Sequence, residues 1–375
     1  MRVHADRKAL LAVAKIAETA SQASAGRTVL NGMRLELGDD GLALTCSNGD
    51  LTIAATTDAD DIDGVGFLCV PPAKLFAQVL AAADADVVAL TIAEDDELRF
   101  TAGDWATEIR CYPPHMWPSF REPQADPVHL SAEDLERIHR ITYAVRRWES
   151  NESVEKHKEQ GSVAAALAGV RIEDGFAIAT DNYRGARVTL SSPIEVGVTV
   201  PLATISAVTK AIPAEGVDLV ADALHVRFEG GGVRWTSTLI AGAFPRTEHL
   251  FAFELPRRLS FARDALLAAL ARSQLVSAGN SNLFVIDVDA DEGMATIHNA
   301  GLDVGSSVEV LACQGDFSGR ACLNAAYVTQ MVRACHGDEL VFRCLDASKP
   351  FRLDDDGVAH MLGPVAVPPH LAVAQ

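Results

Sequence analysis

The chain has 375 residues, of which 49% are hydrophobic and 22% are charged. This balance is typical of a folded globular protein and excludes a disordered one. The formal net charge of −19 excludes a surface that binds nucleic acid everywhere, because the summed field would repel phosphate groups. A protein that is acidic on most of its surface and basic on one restricted face remains compatible with these numbers.

Neither a secretory signal nor a membrane span is predicted. The apolar stretch from Leu10 to Ile16 is short, contains Lys15 and follows charged residues. No apolar run is long enough to cross a bilayer. The seven cysteines contain no Cys-x-x-Cys pair, which indicates buried free thiols in a reducing compartment. We therefore expect a cytoplasmic protein.

The predicted elements begin with an amphipathic helix that contains Lys8 to Leu11. A hairpin of two strands, 30–36 and 42–45, follows around a turn rich in Asp and Gly. The pair Pro71-Pro72 then leads into a second helix over 74–80, since proline at a helix start removes no hydrogen bond. Two further strands, 87–92 and 97–101, belong to this first block.

The same order of elements recurs twice. Leu10, Leu135 and Leu266 hold equivalent positions in the first helices and lie roughly 125 to 130 residues apart, about the length of one small domain. The second block has helices over 131–138 and 204–212, and strands over 167–173, 176–180, 217–220 and 224–228. The third has helices over 263–267 and 326–334, and strands over 282–287, 294–297, 339–344 and 351–353.

Three blocks with one element order predict an α+β protein of three tandem domains. Each domain would pack two helices on antiparallel sheet. The proline-rich stretch from Pro123 to Pro127 and the segment from Glu254 to Arg257 mark the boundaries. The predicted domains are therefore 1–124, 125–254 and 255–375.

Cations lie opposite the apolar stripe on several of the predicted helices. A solvated helix face is the ordinary role of any single Lys or Arg. Equivalent helices that carry cations in a strongly acidic chain nevertheless predict one surface adapted to phosphate groups. The cations assigned to this surface, which we name the basic set, are Arg7, Lys8, Lys15, Lys74, Arg137, Arg140, Arg147, Lys210, Arg272 and Arg333.

Five local motifs, in this order and at these spacings, resemble those of the beta subunit of bacterial DNA polymerase III, the DNA sliding clamp. The resemblance covers the whole chain. The motifs are Ala179-Thr180-Asp181-Asn182-Tyr183-Arg184, Thr236 to Ile240 running into Phe244-Pro245, Asn324 to Val328, Lys349 to Leu353, and Leu362 to Val365.

The resemblance implies a head-to-tail homodimer whose six domains close into a ring, with helices lining the hole and sheets forming the outer wall. Double-stranded DNA would pass through the hole without sequence readout. The expected function is that of a processivity factor that tethers a DNA polymerase. It implies no catalysis, no cofactor and no metal.

By the same resemblance, polymerase, clamp loader and repair proteins would bind through a short linear peptide in a pocket between the second and third domains. Thr180 and Arg184 could hydrogen-bond this peptide. Arg27 joins the basic set, and Thr107 and Ile109 would meet Leu275 and Val276 of the partner protomer. The predicted pocket residues are Leu167, Thr180, Asn182, Tyr183, Arg184, Pro245, Leu250, Met361, Leu362 and Pro364.

Several positions depart from the family pattern. Gly185 stands where the family usually has a leucine, which removes one wall of the pocket. The segment from Trp148 to Gly161 is a charged insertion, and a proline-containing tail ends at Gln375. These departures leave the predicted fold intact. They keep open a divergent, phage-borne or paralogous clamp that binds DNA or partners without supporting replication.

A thiol hydrolase is the alternative from another class. Cys111 with His115 is the nearest candidate for an activated nucleophile, but no catalytic motif surrounds it. Two acidic segments, 59–70 and the one around Asp287 to Asp291, imitate calcium loops and lack essential ligand positions. We therefore expect neither an enzyme nor a metal-binding protein.

Overall fold

The computed structural model describes residues 2–21, 28–38, 41–63, 66–92, 97–147, 163–192, 197–276, 282–301, 305–368 and 371. Arg27, the whole predicted insertion and part of the predicted tail lie outside these ranges. Among the described helices, none combines the length and the apolarity that a membrane crossing requires.

The first block has an extended first segment followed by two helices that are separated by strands. Asp6 caps the first helix, because its carboxylate accepts a hydrogen bond from Ala9 N at 2.8 Å. Its elements are β1 (Arg2–Asp6), α1 (Arg7–Glu18), β2 (Arg34–Gly38), β3 (Gly41–Ser47), β4 (Leu51–Thr57), β5 (Asp60–Asp63), β6 (Gly66–Cys69), α2 (Ala73–Ala82), β7 (Val87–Ile92), β8 (Glu97–Ala102) and β9 (Trp105–Arg110).

The second block repeats this order. Its first hairpin turns at Asp174 and Gly175, which have φ of 44° and 80° and so form the tight turn that the Asp-Gly pair predicts. Its elements are β10 (Val128–Leu130), α3 (Ala132–Ile141), α4 (Val163–Ala166), β11 (Gly169–Glu173), β12 (Phe176–Thr180), β13 (Arg184–Thr189), β14 (Val198–Pro201), α5 (Leu202–Thr209), β15 (Val217–Ala221), β16 (His225–Gly230), β17 (Val233–Thr238) and α6 (Glu248–Phe251).

The third block has the order once more. Asn324 caps its second long helix by accepting a hydrogen bond from Tyr327 N at 3.1 Å. Its elements are β18 (Arg257–Ala262), α7 (Arg263–Ser273), β19 (Leu283–Asp289), β20 (Met294–Gly301), β21 (Gly305–Ala312), β22 (Gln314–Gly315), β23 (Gly319–Asn324), α8 (Ala325–Arg333), β24 (Glu339–Cys344), β25 (Phe351–Asp355) and β26 (Val358–Leu362).

These elements confirm the α+β class with helices on antiparallel sheets. Two details differ from expectation. A short strand, β1, β10 or β18, precedes the first helix of each block, and three to six residues are too few to show a clear alternation. Helix α5 ends at Thr209 and not at Ile212, because Pro213 disfavours helical backbone in the residue before it.

The described residues divide into two compact units, 1–135 with 203–239 and 136–202 with 240–375. The first unit holds a five-stranded sheet of order β5-β1-β7-β8-β9 and an eight-stranded sheet of order β10-β15-β16-β17-β4-β3-β2-β6. The second holds a nine-stranded sheet of order β14-β11-β12-β13-β26-β25-β24-β18-β22 and a four-stranded sheet of order β21-β20-β19-β23.

Consecutive blocks share sheets. Strand β4 of the first block pairs with β17 of the second, and β13 of the second pairs with β26 of the third. The two units therefore do not coincide with the three predicted domains. The predicted boundaries nevertheless lie in segments without helix or strand, 117–127 and 252–256. The division into three domains stays a proposal that rests on the threefold element order.

The core of the second unit positions the candidate site. Leu259 and Phe342 of the nine-stranded sheet, Phe284 and Ile297 of the four-stranded sheet, and Met331 of α8 belong to one hydrophobic cluster. In β18, β24 and β25, core residues alternate with residues on the opposite face, as the period of a strand requires. At β18, β24 and β25, one face of the nine-stranded sheet is therefore buried in this core, and the other face carries the side chains that alternate with the core residues.

Candidate partner-binding site

A tight turn after β12 shapes the centre of the predicted pocket. The Asp181 carboxylate accepts hydrogen bonds from the backbone N of Tyr183 and of Arg184, each at 3.0 Å. The Thr180 hydroxyl donates to Arg184 O at 2.6 Å and accepts from Asn182 N at 3.2 Å. Asn182 adopts φ of 78°, a conformation that Asn tolerates better than most residues. The turn leaves Tyr183 at the surface, with 63% of its area exposed.

Arg184 points away from this surface. Its guanidinium lies 4.1 Å from the ring centre of Tyr327 and 5.2 Å from that of Tyr143. Its Nε donates to Asp181 at 3.0 Å and its Nη1 to Gln330 at 2.6 Å. The expectation that Thr180 and Arg184 hydrogen-bond a peptide is therefore wrong for these side-chain groups, because internal partners already use them to hold the turn.

Behind Arg184, a neutral histidine occupies the interior. Tyr143 Oη and His360 Nδ1 lie 2.9 Å apart; His360 is fully buried and Tyr143 is partly buried. Among the described residues, His360 Nε2 has no hydrogen-bond partner. Burial, aided by the nearby Arg140 charge, lowers the pKa of His360 to about 3, while burial raises the pKa of Tyr143. Both groups are uncharged at neutral pH.

This burial predicts a loss of stability in mild acid. His360 binds a proton near pH 6.5 in the unfolded chain but only near pH 3 in the folded chain. The contribution of the neutral histidine to the free energy of unfolding is therefore fully present above pH 6.5 and declines below it. Between pH 7.5 and 5.5 we expect the free energy of unfolding to fall by about 1.4 kcal/mol through this residue. Urea unfolding of the wild type and of His360→Gln at both values measures the difference. An equal pH dependence of the two proteins would rule out the histidine as its source.

The other predicted pocket residues divide into exposed and buried ones. Leu167 and Leu362 are buried, and Leu362 belongs to the core cluster on the inner face. Their side chains therefore support the pocket from inside and form no open wall. Met361 is buried on the opposite face. Side chains with open surface are those of Asn182, Tyr183, Pro245, Leu250 and Pro364.

Two residues that the sequence analysis did not assign lie at this site. The Tyr327 ring lies 6.5 Å from that of Tyr183, so two tyrosines line the same edge. A Cβ added to Gly185 would lie 3.8 Å from Phe251 Cζ, which shows that the Phe251 ring covers the space beside Gly185. Asn324 is a typical N-cap residue, so the sequence around it predicts that Tyr327 lies in the first turn of a helix. Because Gly185 has no side chain, a residue from elsewhere in the chain, here Phe251, occupies the space beside it.

The basic set of the first unit lies mainly at the surface. Lys8 and Lys15 of α1, Lys74 of α2 and Lys210 are exposed. Helix α1 buries Leu10, Ala14 and Ala17, whose spacing defines one face, so the lysines project from the others. Arg7 is half-buried, and its Nε donates to Ala85 O at 2.9 Å.

The basic set of the second unit is more often paired. Arg147 and Arg333 are exposed. Arg137 lies 3.6 Å from an Asp356 carboxylate oxygen, and Arg272 lies 2.6 Å from Glu309. These two ion pairs neutralise part of the charge that the prediction counted. Arg27 was also assigned to this set and lies outside the described residues.

The assignment of Arg140 to the basic set is wrong. Only 6% of this residue is exposed, and its Nε donates to Ala334 O at 2.8 Å. Its guanidinium also pairs with the carboxylates of Asp355 and Asp356. Burial alone would raise the pKa of Asp355, but hydrogen bonds from His336 N and Gly337 N together with Arg140 hold this pKa below its usual value. The long arginine side chain reaches the β25–β26 hairpin, and helix periodicity does not reveal such a reach.

The structure gives different surroundings to Arg140, which is buried, and Arg147, which is exposed, although both were predicted to belong to the basic set. Arg140→Gln leaves the largely buried Asp355 carboxylate without its cation, and we expect it to lower the free energy of unfolding by about 3 kcal/mol. The matched variant Arg147→Gln changes an exposed side chain, and we expect less than about 0.5 kcal/mol. Urea unfolding at pH 7.5 measures both. Similar destabilisation of the two variants would show that Arg140 has no special structural role.

The predicted protomer contacts lie on an edge strand and in the short helical turn Gln274–Val276. Strand β9 is the outermost strand of its sheet and carries Thr107, which is half-buried, and Ile109, which is 2% exposed. Ile109 can therefore offer its backbone but hardly its side chain. Leu275 is 80% exposed and Val276 is half-buried. The outermost strand β21 also exposes 61% of Val308, an apolar contact candidate that the sequence analysis missed.

The thiol alternative has little geometric support. Cys111 Sγ donates to Ile109 O at 3.6 Å, as a protonated thiol does, whereas nucleophilic attack requires a thiolate. His115 lies in the short exposed turn Pro114–Met116. Burial raises the pKa of both Cys322 and Cys344 to about 11, so these thiols are unreactive at neutral pH.

The sequence of this chain is similar to those of several known proteins. No family model matches the chain. The Beta sliding clamp of Staphylococcus epidermidis is 23% identical over 360 residues, which cover 90% of this chain and 92% of that protein. The chain is therefore similar to a bacterial beta sliding clamp over most of its length. The Beta sliding clamp of Caulobacter vibrioides is 29% identical over 203 residues, and this match spans about half of each protein, 51% of the chain and 54% of the relative.

Solved structures place this chain in the sliding-clamp fold. The DNA polymerase III beta subunit of Pseudomonas aeruginosa has a TM-score of 0.85 at 18% identity, and that of Streptococcus pyogenes has 0.86 at 19%. Each comparison covers 98% of this chain and 100% of the other. The resemblance seen in the motifs is thus confirmed across almost the whole fold.

Proposed function

We propose that this chain is a DNA sliding clamp, which encircles duplex DNA and tethers a DNA polymerase to it. The observation that carries the proposal is the match to beta sliding clamps over 90% of the chain, together with the same fold over 98%. A ring held by topology needs only weak, sequence-blind contacts with phosphate groups. The exposed cations Lys8, Lys15 and Lys74 would supply such contacts, and the net charge of −19 would repel DNA from the remaining surface.

The proposed assembly is a head-to-tail homodimer of three-domain protomers. Strands β9 and β21 are the outermost strands of their sheets. Val308 and Val310 of β21 are both exposed, and their spacing of two residues places them on the same face. Pairing the two edges across protomers would extend both sheets and hide unpaired backbone groups. Leu275 would be covered in the same contact.

Partners of the ring would bind through a short linear peptide. The exposed Tyr183 and the half-buried Pro245 and Leu250 provide apolar surface around Met361, and apolar pockets with a few polar groups are typical peptide sites. Replicative polymerase, clamp loader and repair proteins are the partners that the clamp function requires. The cytoplasm, where replication enzymes work in bacteria, is the expected location.

Encirclement can be tested because a closed ring stays on circular DNA but slides off linear DNA. A purified bacterial clamp loader with ATP is used to load the protein on nicked circular plasmid, and the mixture is passed over a sizing column in 0.5 M NaCl, which weakens ordinary phosphate contacts. We expect the protein to elute with the plasmid and to be released when a restriction enzyme linearises it.

Leu275→Asp provides the matched control. The side chain at 275 is exposed, so this change should leave the protomer folded and prevent ring closure. We expect this variant not to remain with circular plasmid. Retention of the wild type that persists after linearisation would indicate ordinary surface binding in place of encirclement.

A further inference from the structure

One cross-strand row of the nine-stranded sheet carries three arginines. Arg258 of β18 lies opposite Arg343 of β24, and Arg343 lies opposite Arg352 of β25. Directly opposed residues project from the same face, and neighbouring strands lie about 4.8 Å apart. The three side chains, which we name the arginine row, therefore leave the sheet within a strip roughly 10 Å wide.

The arginine row is poorly neutralised within the chain. Arg352 Nε donates to Asp354 at 2.8 Å. The Asp316 carboxylate, at the end of the row, accepts from the backbone N of Arg258 at 2.6 Å and not from its side chain. In the part of the chain that the structure describes, neither Arg258 nor Arg343 forms a side-chain ion pair, and both are exposed.

A fourth cation adds to this potential. Arg187 of β13 stacks on Phe176 at 4.6 Å and on Phe251 at 4.8 Å. Its partial burial and the charge of Arg352 both lower its pKa, although Asp354 opposes this effect. Like charges placed directly opposite each other destabilise a sheet. In a chain of net charge −19, such a cluster is explained if an anionic group binds over it.

The arginine row leads directly into the candidate pocket. Arg352 lies opposite Met361 of β26, Met361 lies opposite Gly185 of β13, and Gly185 lies opposite Thr180. Arg352 Nη1 also donates to Phe251 O at 3.2 Å, so the row touches the helix that covers Gly185. One end of this surface is therefore apolar and the other end is cationic.

We propose that the arginine row binds an acidic protein segment, rich in Asp and Glu, that flanks the peptide seated in the candidate pocket. The proposal rests on the function proposed above. Guanidinium groups bind carboxylates through paired hydrogen bonds, and arginine clusters recognise acidic motifs in other proteins. An apolar peptide with an acidic flank matches both ends of the surface.

The surroundings favour a protein segment over a nucleic acid strand. The arginine row is short, and it is bordered by Asp316 at one end and by Asp354 beside Arg352. A long polyanion would extend past the row onto this acidic surface, whereas two or three carboxylates fit within it. The pocket end also provides apolar walls, which suit leucine or phenylalanine side chains better than phosphate groups.

Fluorescein-labelled probes of four kinds test the proposal by fluorescence anisotropy. The first peptide joins an apolar segment, Ser-Leu-Leu-Phe-Gly, to an acidic tail of two Asp-Glu pairs, and is made with the tail at either end. The second replaces the tail by Ser-Gly pairs, and the third keeps the tail and replaces the apolar residues by serine. A single-stranded thymidine oligonucleotide is the fourth.

We expect the acidic tail, at one of its two ends, to tighten binding to the wild type about tenfold at 50 mM salt, since two or three exposed ion pairs contribute modestly. This gain should vanish in 0.5 M salt and in the double variant R258Q/R343Q. Neither residue contacts the pocket, so the double variant should bind the Ser-Gly peptide as the wild type does. R320Q, an arginine of the four-stranded sheet, should keep the full gain.

Equal affinity of the acidic and Ser-Gly peptides for the wild type would overturn the proposal, as would a gain that survives in R258Q/R343Q. Binding of the oligonucleotide that is stronger than that of the acidic peptide and depends on the arginine row would also overturn it. Thermal unfolding excludes misfolding as an explanation: removal of opposed charges should leave the Tm of R258Q/R343Q unchanged or higher.

Failure of the pocket can be told apart from failure of the arginine row. If neither peptide with an apolar segment binds, the peptide site of the proposed function fails. The serine-substituted acidic peptide, titrated at millimolar concentration, then decides on the row alone. Binding that R258Q/R343Q loses supports the row, and no binding to the wild type overturns it.

Discussion

The pairing of β13 with β26 is the interaction on which the candidate site depends. These strands come from the second and third blocks, and their backbones pair from Arg184 opposite Leu362 to Val188 opposite Val358. The same pairing is extended by Gly363 N, which donates to Tyr183 O at 2.9 Å. Because opposed residues share a face, this register alone puts Met361 beside Gly185. It also aligns the arginine row with the pocket.

A buried polar network supports this pairing from the inner face. Arg184 is stacked on Tyr143 and Tyr327, Tyr143 contacts His360, and Arg140 binds the β25–β26 hairpin. Burying a charged group costs desolvation free energy unless the group is paired. Removing one partner therefore leaves the other charge buried and unpaired, which destabilises the fold. The network therefore favours the hairpin position in which these groups are paired.

The two faces of the nine-stranded sheet thus have different roles. The inner face carries the core and the polar network, and hence stability. The outer face carries Met361, the Phe251 ring and the arginine row, and hence the proposed recognition of partners. A single strand such as β26 serves both, since His360 and Leu362 point inward while Met361 points outward.

The order of helices and strands could be predicted from the sequence because it depends on local periodicity and turn residues. The threefold repeat, the Asp174–Gly175 turn and the helix starts are of this kind. The roles of Arg140 and Arg184 could not be predicted, because most of their partners are distant in sequence and come into reach only through the sheet. The arginine row escaped notice for the same reason: positions 258, 343 and 352 meet only when the strand register is known.

The proposed ring is tested most directly by closing it covalently. Thr107→Cys and Leu275→Cys introduce thiols at the two proposed protomer contacts, and a bismaleimide joins them after loading on nicked circular plasmid. We predict that the joined dimer stays with circular plasmid in hot detergent, where no folded contact survives, and leaves it after linearisation. Release of the joined protein from circular plasmid by detergent alone would contradict encirclement.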